Sequence, residues 1–238
     1  MATVKDDFFR HISSEFNEEL EELRRSLLKM GGLVEDQLVG AIDCCNDPNT
    51  ELFSRIESVE DEINRSELLL DEKVESLIVR RQPIASDLRL VLAVSKIVRD
   101  LERMGDELEK VAALSFESFG KGDNFGLPEV ERIGEQVKKM LSESLTAFAR
   151  LDVEMAQQIF KRDREVDKAY QSALRSLATF MIEDPRKIGS VLNVIWIVRA
   201  LERVGDHATN IAEYVIYLVK GVDVRHPGIR DAETNPLR

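Results

Sequence analysis

Ile97-Val98-Arg99-Asp100-Leu101-Glu102-Arg103-Met104-Gly105-Asp106 returns 100 residues later as Ile197-Val198-Arg199-Ala200-Leu201-Glu202-Arg203-Val204-Gly205-Asp206, with eight of ten positions identical. Widened to Val91–Asp106 against Val191–Asp206, the match is eleven of sixteen, more than shared apolar periodicity would force. The chain is therefore an internal duplication. The repeat carries a carboxylate pair, Glu102 with Asp106 and Glu202 with Asp206. Residues four apart on a helix share one face, one turn above the other, so each pair repels itself unless a cation intervenes.

Working outward, apolar residues recur by threes and fours on both sides of the repeat. Phe8, Ile12, Phe16, Leu20, Leu23, Leu27, Met30, Val34 and Leu38 mark one stripe of a long helix ending near Asn46. Gly31-Gly32 interrupts it, and a bend or a close helix contact is expected there. A second helix is predicted from about Thr50 to Arg81. After Gln82-Pro83, a third runs from about Ser86, the expected N-cap, to Phe119. Gly120 to Pro128 is the concentrated breaker cluster inside the chain. Beyond it come helices from about Glu129 to Arg150, Val153 to Ile182, and from the Asp184-Pro185 start signal to Lys220. The expected fold class is all-α: two tandem antiparallel three-helix bundles, residues 1–119 and 127–220, joined end to end and related by a pseudo-two-fold axis, with 221–238 a loose tail.

Upstream the repeat drifts by three residues, so that Glu60 to Asn64 faces Asp163 to Asp167. Each second helix thus has its own four-apart polar pair, Glu60/Asn64 and Asp163/Asp167. Glu102 and Asp106 stand about 40° apart at the edge of the apolar stripe, as do Glu202 and Asp206. If the second and third helices of each half are neighbours, three or four oxygen ligands converge, suited to a hard or borderline cation such as Fe, Mn, Mg or Ca. On a single copy the bland reading is stronger: a wet face in which Arg103 or Arg203 neutralises the acids. Two copies that keep Glu-Arg-x-Gly-Asp while Asp100 becomes Ala200 and Met104 becomes Val204 favour a site. Gly105 and Gly205 add to this, because mid-helix glycine costs roughly 1 kcal/mol and calls for a helix contact or room for an ion.

Composition excludes other classes. With 45 acidic and 33 basic residues the chain carries −12, which opposes binding to nucleic-acid phosphates. Cys44 and Cys45 are adjacent and lack other Cys or His nearby, as small core or surface residues of a reducing cytosol would. No signal layout or membrane span is evident, so the protein is expected in the cytoplasm, reaching a membrane only through partners. The Glu-x-x-His of a ferritin-like di-iron site is missing, since Val204 stands three before His207. His207 is expected on the surface. No nucleophile triad, phosphate loop or dinucleotide fingerprint occurs, and no enzyme is indicated.

Gln82-Pro-Ile-Ala-Ser-Asp-Leu-Arg89, Leu101-Glu-Arg-Met-Gly-Asp106 and Leu201-Glu-Arg-Val-Gly-Asp-His-Ala-Thr-Asn-Ile-Ala-Glu213, in a duplicated helical chain, resemble the PhoU family of bacterial phosphate-signalling regulators from about Phe8 to Lys220. The resemblance implies a regulator without catalysis that represses the phosphate-starvation response. Its implied partners are the ATPase subunit of the phosphate ABC transporter and the sensor histidine kinase of the response, with a homodimer expected. It also implies metal, with Fe, Mn, Zn and Mg as candidate ions, at Glu102, Asp106, Glu202, Asp206, Asp163 and Asp167. Glu60 and Asn64 stand where the family carries two aspartates, so the first site is expected to bind more weakly or to hold fewer ions. The alternative function is a metal-storage or metal-dependent redox bundle; a third reading is a purely structural scaffold.

Overall fold

The computed structural model describes residues 14–119 and 125–224. Among them are six α-helices: α1 Ser14–Asn46, α2 Thr50–Arg81, α3 Ala85–Phe119, α4 Leu127–Arg150, α5 Val153–Glu183 and α6 Ile188–Lys220, the last preceded by a 3-10 turn Pro185–Lys187. Residues 8–13 of the first predicted helix, most of the Gly120 to Pro128 link and the tail beyond 224 lie outside the described residues. None of these helices is long and apolar enough to cross a membrane.

The boundaries follow from caps. The Asn49 side chain accepts from the Leu52 amide at 2.9 Å, and Asp152 accepts from Met155 at 3.0 Å. Each satisfies an amide that the first turn leaves without a partner. Asp184 accepts from the Arg186 amide and opens the 3-10 turn ahead of α6. Ser86 does not cap. The helix already starts at Ala85, and the Ser86 hydroxyl points to Asp87 at 3.4 Å.

Within each half the three helices pack on one another, α1–α3 and α4–α6. The halves are not joined end to end. They lie side by side, with α3 against α6 as the most extensive contact of the molecule and α1 against α4 beside it. Lys96 meets Tyr214 while Asn193 meets Glu117, so α3 and α6 run antiparallel. The cause is visible along α3, where Ala93 and Val98 are buried as fully as Val94 and Leu101. A helix apolar on more than one face must be covered on more than one face. α2 and α5 flank this four-helix centre.

Of the two adjacent glycines, Gly31 meets the expected close contact, since a Cβ there would fall 2.7 Å from Leu145 Cδ2 of the other half. Gly32 faces open space and α1 continues through both. Cys44 and Cys45 are buried free thiols of the core. Val224, just past α6, is buried as well, so the first residues after the helix still pack.

Candidate functional site: two carboxylate clusters

In the first half Glu60 of α2 is almost fully buried, at 5% exposure. Its Oε2 accepts from the Gln37 amide at 2.8 Å, and Oε1 has no hydrogen-bond partner. The carboxylate lies over Gly105, where an added Cβ would come within 2.5 Å of Oε2. The expectation that this glycine makes room is met by a carboxylate. Burial, and then the charges of Asp106, Glu109 and Glu102, push Glu60 up against the lowering effect of Gln37. Burial and Asp106 push Glu102 up too, although Arg103 stands 3.5 Å from Glu102 and 4.0 Å from Asp106.

Asn64 is exposed. The acid that joins Glu102 is instead Glu67, half-buried and raised by burial and by the Glu102 charge. Helix geometry explains the choice, since Glu67 follows Glu60 by seven residues and is only about 20° from it around the axis, while Asn64 is about 40° away. That spacing was available in the sequence; the four-residue motif drew attention from it. Gln37, Glu109 and Thr209 were likewise missed, having no motif spacing to mark them.

In the second half Glu202 is the buried member, at 8% exposure. Its Oε1 accepts from Arg199 at 2.6 Å while Oε2 has no hydrogen-bond partner. Burial and the charge of Asp206 push its carboxyl up to about 7, with Asp167 and Asp163 adding and Arg199 opposing. Asp206 is raised by desolvation and by the charge of Asp167, although both residues are exposed. Asp163 accepts from the Thr209 hydroxyl at 3.1 Å. Gly205 differs from Gly105, because a Cβ there would make only ordinary contacts of 3.7–3.8 Å with Val137, Val166 and Met140.

Two neighbours behave differently from expectation. Arg203 reaches across to Glu107 of the other half at 2.6 Å. His207 is half-buried at the junction of the halves rather than on the surface, 2.7 Å from Asp100, which also accepts from Asn210 at 2.9 Å.

Among the described residues no three His, Cys, Asp or Glu side chains close into a metal-holding group. The acids confront one another across the α2–α3 and α5–α6 seams and take up arginines. The donor set nonetheless fits a hard cation: it is all oxygen, and each seam has one buried carboxylate oxygen without a partner, Glu60 Oε1 and Glu202 Oε2. Glu60, Glu102 and Asp106 could bind it in the first half, with Glu67 and Glu109 at hand; Asp163, Asp167, Glu202 and Asp206 could do so in the second.

A family model described as the PhoU domain matches residues 27–114 and again 130–215. The chain is 50% identical over 226 residues to the phosphate-specific transport system accessory protein PhoU homolog of Pseudomonas aeruginosa, covering 94% of this chain and 93% of that one. To the phosphate-specific transport system accessory protein PhoU of Escherichia coli it is 41% identical over 219 residues, covering 92% and 91%. The crystal structure of PhoU from Pseudomonas aeruginosa superposes with a TM-score of 0.84 at 50% identity, over 87% of this chain and 100% of that one. That of the phosphate transport system regulatory protein PhoU from Streptococcus pneumoniae gives 0.81 at 26%, over 89% and 100%.

Proposed function

This chain belongs to the PhoU family, and from that premise we propose that it is a negative regulator of the phosphate-starvation response. It couples the ATPase subunit of the phosphate importer to the sensor histidine kinase of that response and modulates phosphate uptake. The observation that carries this reading is the match of both halves, over nearly the whole chain, to proteins named for their accessory role in phosphate transport. The protein works in the cytoplasm as a homodimer, meets the membrane through the importer, and catalyses no reaction. The carboxylate clusters of both halves hold divalent or trivalent cations, Fe, Mn, Zn or Mg. A bound cation there would neutralise like charges; at an effective dielectric of about 20, two such charges about 4 Å apart oppose each other by roughly 4 kcal/mol.

Deletion of the gene, followed by a phosphate-starvation reporter in abundant phosphate, tests the reading. Reporter output is expected to rise to the starved level and to return on complementation. Full repression in the deletion strain would remove the proposal.

A further inference from the structure

The pseudo-two-fold axis between α3 and α6 gives an internal control, because the same backbone junction occurs once on each side of it. On one side the junction is filled. Asp100 accepts from Asn210 and lies against His207, Lys96 stands 5.6 Å from the centre of the Tyr214 ring, and Glu213 is buried beside them in sequence. On the other side the repeat puts Ala200 in place of Asp100, Ala113 in place of Glu213 and Trp196 in place of Lys96. The small residues leave an open trough of about 660 Å³.

Its floor and walls are apolar, from Ala113, Leu114, Ala200 and Trp196. Trp196 is 61% exposed. Leu192 and Ile188, one and two turns before it on α6, are also exposed, so an apolar stripe about 18 Å long runs into the trough at Ala200. Three cations border it, Lys110, Arg199 and Arg203, each with its side chain about half in solvent. The buried Glu107 at the base pairs with both Lys110 and Arg203. Arg199 pairs with the buried Glu202 at 2.6 Å, so three cations meet two buried carboxylates and the border keeps a net positive charge on a chain of −12.

We infer that the trough between α3 and α6 on the Trp196 side is a docking site for an acidic, amphipathic helix of a partner protein. An exposed apolar stripe with residues four apart accepts the apolar face of another helix, and tryptophan and arginine are the side chains that most often carry binding energy at such contacts. The cation border selects carboxylates flanking that face. A second copy meeting the trough with its own would set these cations against their like across a two-fold axis. The inference deepens the adaptor reading by giving a partner its place on the surface.

Trp196 is the sole tryptophan of the chain, so its emission reports on the trough directly. The full chain is titrated with a synthetic amphipathic helix of about 14 residues, its leucines spaced three and four apart and flanked by glutamates, and with the same peptide carrying lysines instead. The acidic peptide is expected to shift the emission to the blue in a saturable way, and the basic one to bind at least about ten-fold more weakly. Ala113→Glu, which copies the filled side, and Lys110→Glu are both exposed changes; each is expected to weaken the acidic peptide about ten-fold with circular dichroism unchanged. No shift, equal affinity for the two peptides, or indifference to both variants overturns the inference. So does a blue shift that grows with protein concentration alone, which assigns the trough to a second copy. Normal repression in the deletion strain alongside peptide binding would remove the adaptor reading and leave the docking site standing; derepression without peptide binding would do the reverse.

Discussion

The amide of Gln37 donates to Glu60 at 2.8 Å and holds that carboxylate over Gly105, where no side chain could coexist with it. The repeat places Met140 at the position of Gln37 and Asp163 at that of Glu60, and there Gly205 merely touches apolar neighbours. The two halves therefore hold their buried acids by different means. In the first a long carboxylate is anchored from α1; in the second Thr209 and Arg199, both on α6, supply the partners.

Alanine at the two glycines should separate these arrangements. Gly205→Ala is expected to stabilise by up to about 1 kcal/mol, the helix-propensity gain with no steric cost. Gly105→Ala is expected to forfeit that gain, because its Cβ must displace Glu60 from Gln37 and break a hydrogen bond worth about 1 kcal/mol. Urea midpoints of the two variants against wild type provide the check, and equal stabilisation would contradict the contact at Gly105.

Gln37→Met, which copies the second half, leaves Glu60 buried without its donor. A loss of about 1–3 kcal/mol at neutral pH is expected, smaller at acidic pH, because a carboxyl raised by burial takes up its proton more readily than an exposed one. Chemical denaturation at the two pH values measures it.

The pH dependence of the second cluster has a definite sign. Glu202 is raised from the ordinary glutamate range near 4.5 to about 7, so the folded state binds its proton more tightly than the unfolded state. Its neutral form is the favoured one, and the contribution to stability is full below about 4.5 and lost as pH rises through about 7. For metal-free protein this amounts to roughly 3 kcal/mol at most. Glu202→Gln is expected to flatten that fall, so that the variant is the more stable protein at pH 8 and no more stable at pH 4.5. Thermal melts in chelator across this range would show it.

Much of this was legible beforehand. The helices, the Asp184 start signal and the likeness of the two halves follow from periodicity and duplication, which are local or self-referential signals. Less legible was what depends on which helices meet. The buried Ala93 and Val98 require a second covered face on α3, and the one stripe flanked by Glu102 and Asp106 leaves the lateral junction with α6 unspecified. His207 and Arg203 were misplaced for the same reason, since their partners Asp100 and Glu107 lie about a hundred residues away across that junction. At the acids, the four-residue spacing identified Glu60 and passed over Glu67.

That exchange of the amide Asn64 for the acid Glu67 changes what a measurement of bound metal should find. Asn64 was expected to weaken the first site, yet its side chain is exposed, while Glu67 and Glu109 add carboxylates that the second half replaces with Tyr170 and Thr209. If the clusters hold cations, Asp206→Ala is expected to lower bound metal strongly without unfolding the chain, since it also removes a charge that repels Glu202. Asn64→Ala is expected to leave metal content near wild type. Glu67→Gln, nearly the same size but neutral, is expected to lower it, because Glu102 would lose a fellow ligand of the same cation. Elemental analysis of wild type and the three variants, each purified without chelator, decides between the readings. Equal metal in all four would mean that the acids form a solvated face balanced by Arg103 and Arg199, and stability would then shift by only about 0–1 kcal/mol.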